Sequence, residues 1–217
     1  GFGGSQIVDA THFAKRIIFP YGPKMVFLRA GGNDLWSGKS PEQVFAEFKE
    51  FVTKVHSKLP ETEIAFISLC PSVARWKQAE KEKALNTLVQ EYTRQTPRVK
   101  YIETYSMSLD ADGQPRPELF VADKLHFNAE GYKLLADKVR GNIQKQDGFL
   151  SHFSKDRRGS FGTPNRFRRT FEPDVDHELW VIHRPPADEG CIRLTSIIEA
   201  IDGNLRGAGL ACHTITG

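Results

Sequence analysis

Apolar residues recur with two different periods along the first 146 residues. Lys24 to Ala30 (KMVFLRA) is a short apolar run closed by Gly31-Gly32, the pattern of a buried strand. Ser40-Pro41-Glu42 then predicts a helix start, with Ser40 as N-cap and Pro41 in the first helical position. Val44, Phe45, Phe48, Phe51, Val52 and Val55 follow at three- and four-residue steps, on one helix face ended by Leu59-Pro60. Glu63 to Leu69 (EIAFISL) predicts a second strand, stopped at Cys70-Pro71. Gln78 to Gln95 predicts a helix with Ala84, Leu85, Leu88 and Tyr92 inward. Val99 to Glu103 (VKYIE) predicts a third strand. Asn128 to Gln146 predicts a last helix, capped by Asn128, with Tyr132, Leu135, Ala136, Val139 and Ile143 inward.

Strands alternating with helices build a parallel sheet covered on both faces. Right-handed crossovers make it doubly wound, with the site beyond the carboxyl ends of the strands. The polar candidates fall there: Gly31 to Asp34 after the first strand, Ser72 after the second, and Asp123 and His126 before the last helix. The expected fold is a three-layer α/β/α sandwich of flavodoxin-like type over residues 1–146. Residues 147–217 are expected to be linker and irregular tail. Within that tail, Glu178 to His183 suggests a short strand and Cys191 to Leu205 a short helix, neither with a clear partner.

Composition narrows the field. The chain has 217 residues, 39% hydrophobic and 26% charged, enough for one α/β domain. A net charge of +3 is too small to argue for nucleic acid or an anionic membrane. Lys155 to Arg169 holds six basic residues against one acidic, but residues 151–217 carry nine of each sign, so no nucleic-acid partner is expected. No apolar run reaches the ~20 residues of a spanning helix. Gly1 to Asp9 has neither the basic flank nor the apolar core of a signal peptide, and there is no initiator Met. Those features read as a fragment or processed product, and leave compartment and oligomeric state open. Three cysteines, Cys70, Cys191 and Cys212, argue against a disulfide framework. Cys212-His213 lacks the first thiol of a haem attachment motif, and no metal or organic cofactor is expected.

Three segments can carry chemistry. Asp123-Lys-Leu-His126 places a carboxylate three residues from an imidazole. Around a tight turn the carboxylate can hold one ring nitrogen and leave the other as general base. An ordinary surface loop would have the same composition. Gly31-Gly32-Asn33-Asp34 sets an amide at a strand's carboxyl end, where it can donate to a developing oxyanion, or simply makes a turn. Gly1-Phe-Gly-Gly-Ser5 can supply backbone N–H donors or be a flexible terminus, and no G-K-[ST] follows to make a phosphate loop.

Together, in this order, the segments resemble the SGNH (GDSL-like) hydrolases over roughly residues 1–140. Ala65 to Trp76 and Gly113 to Phe120 also look like bacterial esterase-type members. The resemblance implies a carboxylic ester hydrolase working through a serine acyl-enzyme on a small ester or acylated substrate. It implies Gly4 and Asn33 as the oxyanion hole, His126 as the base and Asp123 as its orienter. It also implies a G-D-S nucleophile block on a strand ahead of the glycine block. No G-D-S occurs in the 217 residues. Ser5, Ser37 and Ser72 lie near the site without a matching motif, Ser5 being nearest the donor glycine. The expectation is therefore an N-terminally truncated domain that lacks its first strand and turns over poorly on its own. Its sheet edge should be open unless something replaces that strand. The alternative is a non-catalytic protein that binds an ester or acetylated sugar.

Overall fold

The computed structural model describes residues 3–146 and 179–182, with side-chain surroundings through residue 142. Three strands, β1 (Met25–Leu28), β2 (Glu63–Ile67) and β3 (Val99–Ile102), form a parallel sheet. Phe27 pairs with Ala65, and Ala65 with Lys100. β1 and β2 are short and mostly apolar because both of their faces are buried, whereas Lys100 and Tyr101 of β3 are only partly buried. Val26, Leu28, Ile64 and Phe66 face one core; Phe27, Ala65 and Ile67 face the other.

Helices α1 (Ile7–Ile17), α3 (Pro41–Lys58) and α4 (Ala79–Gln95) cover the first face. α5 (Ala129–Gln146) covers the second, together with the loop that carries Leu119, Phe120 and Phe127. This is the expected α/β/α sandwich. α3 begins as the sequence predicts: the Gln43 N–H donates to Ser40 Oγ, and the Ser40 N–H donates to Gln43 Oε1. Val44, Phe48, Phe51, Val52 and Val55 are buried, while Phe45 sits at the rim against Tyr92. Asn128 caps α5 by accepting the N–H groups of Glu130 and Gly131. Of the residues expected inward on α5, Leu135, Ala136 and Val139 are buried and Tyr132 is partly buried; the side chain of Ile143 lies outside the described residues.

Two features depart from the sequence reading. α1 was not expected, although Ile7, Ala10, Ala14 and Ile18 recur at helical steps and pack into the core. On α4 the buried face is Ala79, Glu82, Leu85, Asn86 and Val89. Ala84 is exposed and Leu88 only partly buried. The face is rotated because two polar residues take inward positions. Asn86 donates to the Leu69 carbonyl at 3.0 Å and accepts its N–H at 2.9 Å, closing the backbone where β2 ends. A pattern scored on apolar residues alone cannot see that face.

The expected open edge of β1 is occupied. β4 (Leu179–Ile182) pairs antiparallel with β1, Phe27 opposite Trp180, giving the strand order β3-β2-β1-β4. It falls within the short strand predicted at Glu178 to His183, and its partner is the sheet itself. The expected helix at Cys191 to Leu205, the basic stretch Lys155 to Arg169, Cys191 and Cys212 lie outside the described residues. Among the described residues, no helix is long and apolar enough to cross a membrane.

Candidate active site

The site collects beyond the carboxyl ends of β1 and β2. Gly31, three residues beyond β1, has φ near 118°, and a Cβ there would stand 3.0 Å from Leu85 Cδ2. A residue other than glycine would be strained and crowded at once. The chain then enters the short helix α2 (Gly32–Trp36) rather than a plain turn. α2 sends Asp34 inward and leaves Asn33 at the cleft.

Asp34 is fully buried and structural. Its carboxylate accepts from Lys39 Nζ at 3.0 Å and, at longer range, from the Ile7 N–H at the start of α1. Lys39 also binds Glu47 of α3 at 2.7 Å. Burial pushes the Asp34 carboxyl up, against the pull of Lys39.

Asn33 is held from both ends of its amide. Nδ2 donates to the Ser5 carbonyl at 3.0 Å, and Oδ1 accepts from Arg75 Nη1 at 2.9 Å. The amide orientation is thus set by a donor that can only donate. Arg75 is itself steadied over the Trp36 ring, 5.1 Å from its centroid. Gly4 adopts φ of 77° just before Ser5, so the glycine block and Asn33 are tied together through one hydrogen bond.

Asp123 and His126 meet as the sequence predicts. Lys124 takes a left-handed φ of 58°, an uncommon conformation for a side chain with a Cβ. That turn aims the N–H groups of Leu125 and His126 at Asp123 Oδ1, at 2.8 and 3.0 Å. Asp123 Oδ2 is hydrogen-bonded to His126 Nδ1. Desolvation is the largest single influence on the Asp123 carboxyl and raises it, but the His126 ring and the two backbone donors together outweigh it and hold it at about 2. The carboxylate is therefore ionised at any pH near neutrality, and its partner nitrogen is fixed. Behind this loop, the Asn128 N–H bonds the Leu119 carbonyl at 2.9 Å. A Cβ on Gly131 would stand 2.6 Å from that same oxygen, so only glycine lets α5 come this close.

A cleft joins the two halves. Asn33 and His126 both line it; Gly4 and Asp123 do not. Of the three serines near the site, Ser72 lines the cleft, while Ser5 and Ser37 lie outside its lining. Ser72 Oγ accepts the Arg75 N–H at 3.3 Å. Cys70 also lines the cleft, but its buried thiol points back to Thr104, and burial pushes it up, away from thiolate character.

The sequence reading missed the polar residues from α4 and its approach. Gln78 and Glu82 are nearly buried, at 5% and 4% exposure, and face the cleft with Arg29 and Arg75. Gln78 Nε2 donates to Glu82 Oε1 at 2.7 Å. Desolvation pushes the Glu82 carboxyl up to about 7, against the hydrogen bond from Gln78 and the charges of Arg29 and Arg75. The one available signal was the i, i+4 spacing of Gln78 and Glu82 on the face that also carries Asn86.

Comparison with known proteins identifies the family and the fold. The model of the GDSL-like lipase/acylhydrolase family matches residues 1–134. A Streptococcus pneumonia structure provisionally described as a platelet activating factor is 22% identical, with a TM-score of 0.58, over 64% of this chain and 69% of its own. The OSK domain of Drosophila Oskar is 18% identical, with a TM-score of 0.55, over 64% and 70%. A GDSL-like lipase from Bacteroides thetaiotaomicron is 15% identical, with a TM-score of 0.52, over 66% and 73%. At these identities the structural likenesses speak to the fold. No curated protein matches the chain significantly.

Proposed function

Because the chain belongs to the GDSL-like lipase/acylhydrolase family, we propose that its cleft is the proton-transfer and oxyanion half of a carboxylic ester hydrolase. The observation that carries this reading is His126: it lines the same cleft as Asn33 while Asp123 holds its Nδ1. With Nδ1 held by Asp123, Nε2 is the nitrogen that takes a proton from an attacking hydroxyl and passes it to the leaving alcohol in this reading. The imidazolium formed on the way is stabilised by a carboxylate that stays ionised. Asn33 and the Gly4 backbone N–H are the proposed donors to the tetrahedral oxyanion. A serine acyl-enzyme, then hydrolysed by water, is the reaction these groups serve.

The nucleophile is the part these 217 residues do not supply in a recognisable form. Ser72 is in the cleft, yet it lacks the G-D-S setting, and its Oγ accepts the Arg75 N–H. Loss of one triad member costs up to about 10⁶-fold in kcat where it has been studied, leaving effects of ~10³ to 10⁴ over water. The chain by itself is therefore expected to hydrolyse p-nitrophenyl acetate at a rate that His126→Ala does not change, and to take up no fluorophosphonate by intact mass. A rate that His126→Ala abolishes, with one phosphonyl adduct on Ser72 or Ser5, would make the chain a complete esterase and overturn this part. Without a nucleophile, the pocket would still bind an ester, and a purely binding role is the second reading.

A further inference from the structure

Among the described residues, Gln78 Oε1 and Glu82 Oε2 are buried in the cleft wall without a hydrogen-bond partner. Both residues are more than nine-tenths buried, and both line the cleft that holds Asn33 and His126. Buried polar atoms in folded proteins are almost always paired. Two orphans side by side in the wall of an open cleft mark a place where something from outside completes the pairing.

Their identity is well determined. Gln78 Nε2 faces Glu82 Oε1 at 2.7 Å and the Gly32 carbonyl at 3.4 Å. The Gly32 carbonyl, and the Glu82 carboxylate when ionised, can only accept, so the amide presents Nε2 to them and Oε1 is the atom left over. We propose that Gln78 and Glu82 are specificity-determining residues that read a hydroxyl group on the part of an ester substrate lying against this wall. This rests on the ester-hydrolase reading of the same cleft and adds to it the chemistry of the substrate.

The choice of a hydroxyl follows from the donor and acceptor count. Gln78 Oε1 only accepts, so the ligand must donate. Glu82 Oε2 accepts when ionised and donates when protonated. Burial sets that carboxyl at about 7, so both forms are present near neutral pH. A hydroxyl has one proton to give and two lone pairs, so it can donate to Gln78 Oε1 while accepting from protonated Glu82; with Glu82 ionised, a second hydroxyl, as in a vicinal diol, supplies the second proton. An alkyl group suits none of them and would leave both oxygens sealed from water. Arg29, Arg75 and Ser72 add further polar groups to the same lining.

The test compares two esters of the same shape. 1-Monoacetin carries two hydroxyls; 2-methylbutyl acetate has carbon in their place. Binding to the 217-residue chain is read by NMR shift titration, or as kcat/KM if the chain turns them over. The expected result is a 10- to 100-fold preference for 1-monoacetin, roughly what one or two unpaired buried groups cost. Glu82→Leu and Gln78→Leu should each erase most of it without weakening 2-methylbutyl acetate, and Glu82→Gln should keep part. Melting curves check that the variants fold, and Gln78→Leu carries the test if Glu82→Leu does not. Equal affinity for the two esters, or a preference that survives both leucine substitutions, overturns the proposal. 3-Methoxypropane-1,2-diol separates the two readings, because it has the hydroxyls and no ester. If it binds in a Glu82-dependent way while no ester is hydrolysed even with a nucleophile supplied, the hydroxyl site stands and the hydrolase reading falls.

Discussion

Two carboxyl groups serve one cleft and are pushed in opposite directions. Asp123 is half exposed, sits three residues from the ring it orients, and is held at about 2 by short-range donors. Glu82 is almost fully buried, meets its cleft partners through tertiary packing, and is pushed to about 7 by desolvation. The difference separates two ways of building a site. The Asp123 loop is a local device that the backbone of four residues completes. The Gln78–Glu82 wall is a tertiary device that exists only when α4 is docked against the sheet. Pairs of acids driven apart in this way are how one pocket holds a fixed anion and a titrating group together.

The comparison can be broken first at the packing that positions each half. Asn86→Ala strips both partners from the Leu69 backbone inside the α4 interface. A loss of about 3 kcal/mol in urea unfolding is expected from two buried groups left unpaired. Gly131→Ala forces a Cβ onto the Leu119 carbonyl and should cost about 1–3 kcal/mol, with NMR shifts concentrated at 119–128.

Titration distinguishes the two acids next. The folded chain keeps a proton on Glu82 that the unfolded chain releases near its ordinary value of 4.5. The contribution to stability is whole below about pH 4.5 and is lost as pH rises through about 7. Its full size is on the order of 3 kcal/mol. Glu82→Gln should flatten that fall and leave the variant the more stable protein at pH 8. Asp123 has the opposite sign: its contribution is present above its ordinary 3.8 and is lost only as pH falls through about 2. Its pair is solvent-screened, so Asp123→Asn should change stability by less than about 1 kcal/mol at pH 7. The same variant should redistribute the His126 tautomers, read by ¹⁵N shifts. A stability loss as large as that of Asn86→Ala would erase the distinction between local and tertiary halves.

How much was legible in the sequence follows the same division. The strands and α3 were readable because their apolar residues repeat with clean periods and Ser40-Pro41 marks a boundary. Asp123 and His126 were readable because the dyad is built by a single turn. Asn33 was readable as a candidate, but not its clamp: Ser5 and Arg75 lie 28 and 42 residues away. α1 was hidden because its stripe is narrow and broken by polar residues. The inner face of α4 was misread because Glu82 and Asn86 occupy positions that an apolar count assigns to solvent. The β1 edge was expected to be open because the strand that the resemblance implies ahead of the glycine block is missing; β4 reaches that edge from more than 150 residues away.

The central claim is that His126, held by Asp123, and Asn33 are a working acyl-transfer apparatus in need of a nucleophile. It is tested most directly by extending the chain at Gly1 with the G-D-S-bearing segment of a GDSL-like relative and measuring p-nitrophenyl acetate hydrolysis. The expected result is turnover well above that of the unextended chain, lost with His126→Ala and reduced on the order of 10²- to 10³-fold with Asn33→Ala. A folded, extended chain that turns over no faster than the original, or whose rate ignores both substitutions, would contradict it.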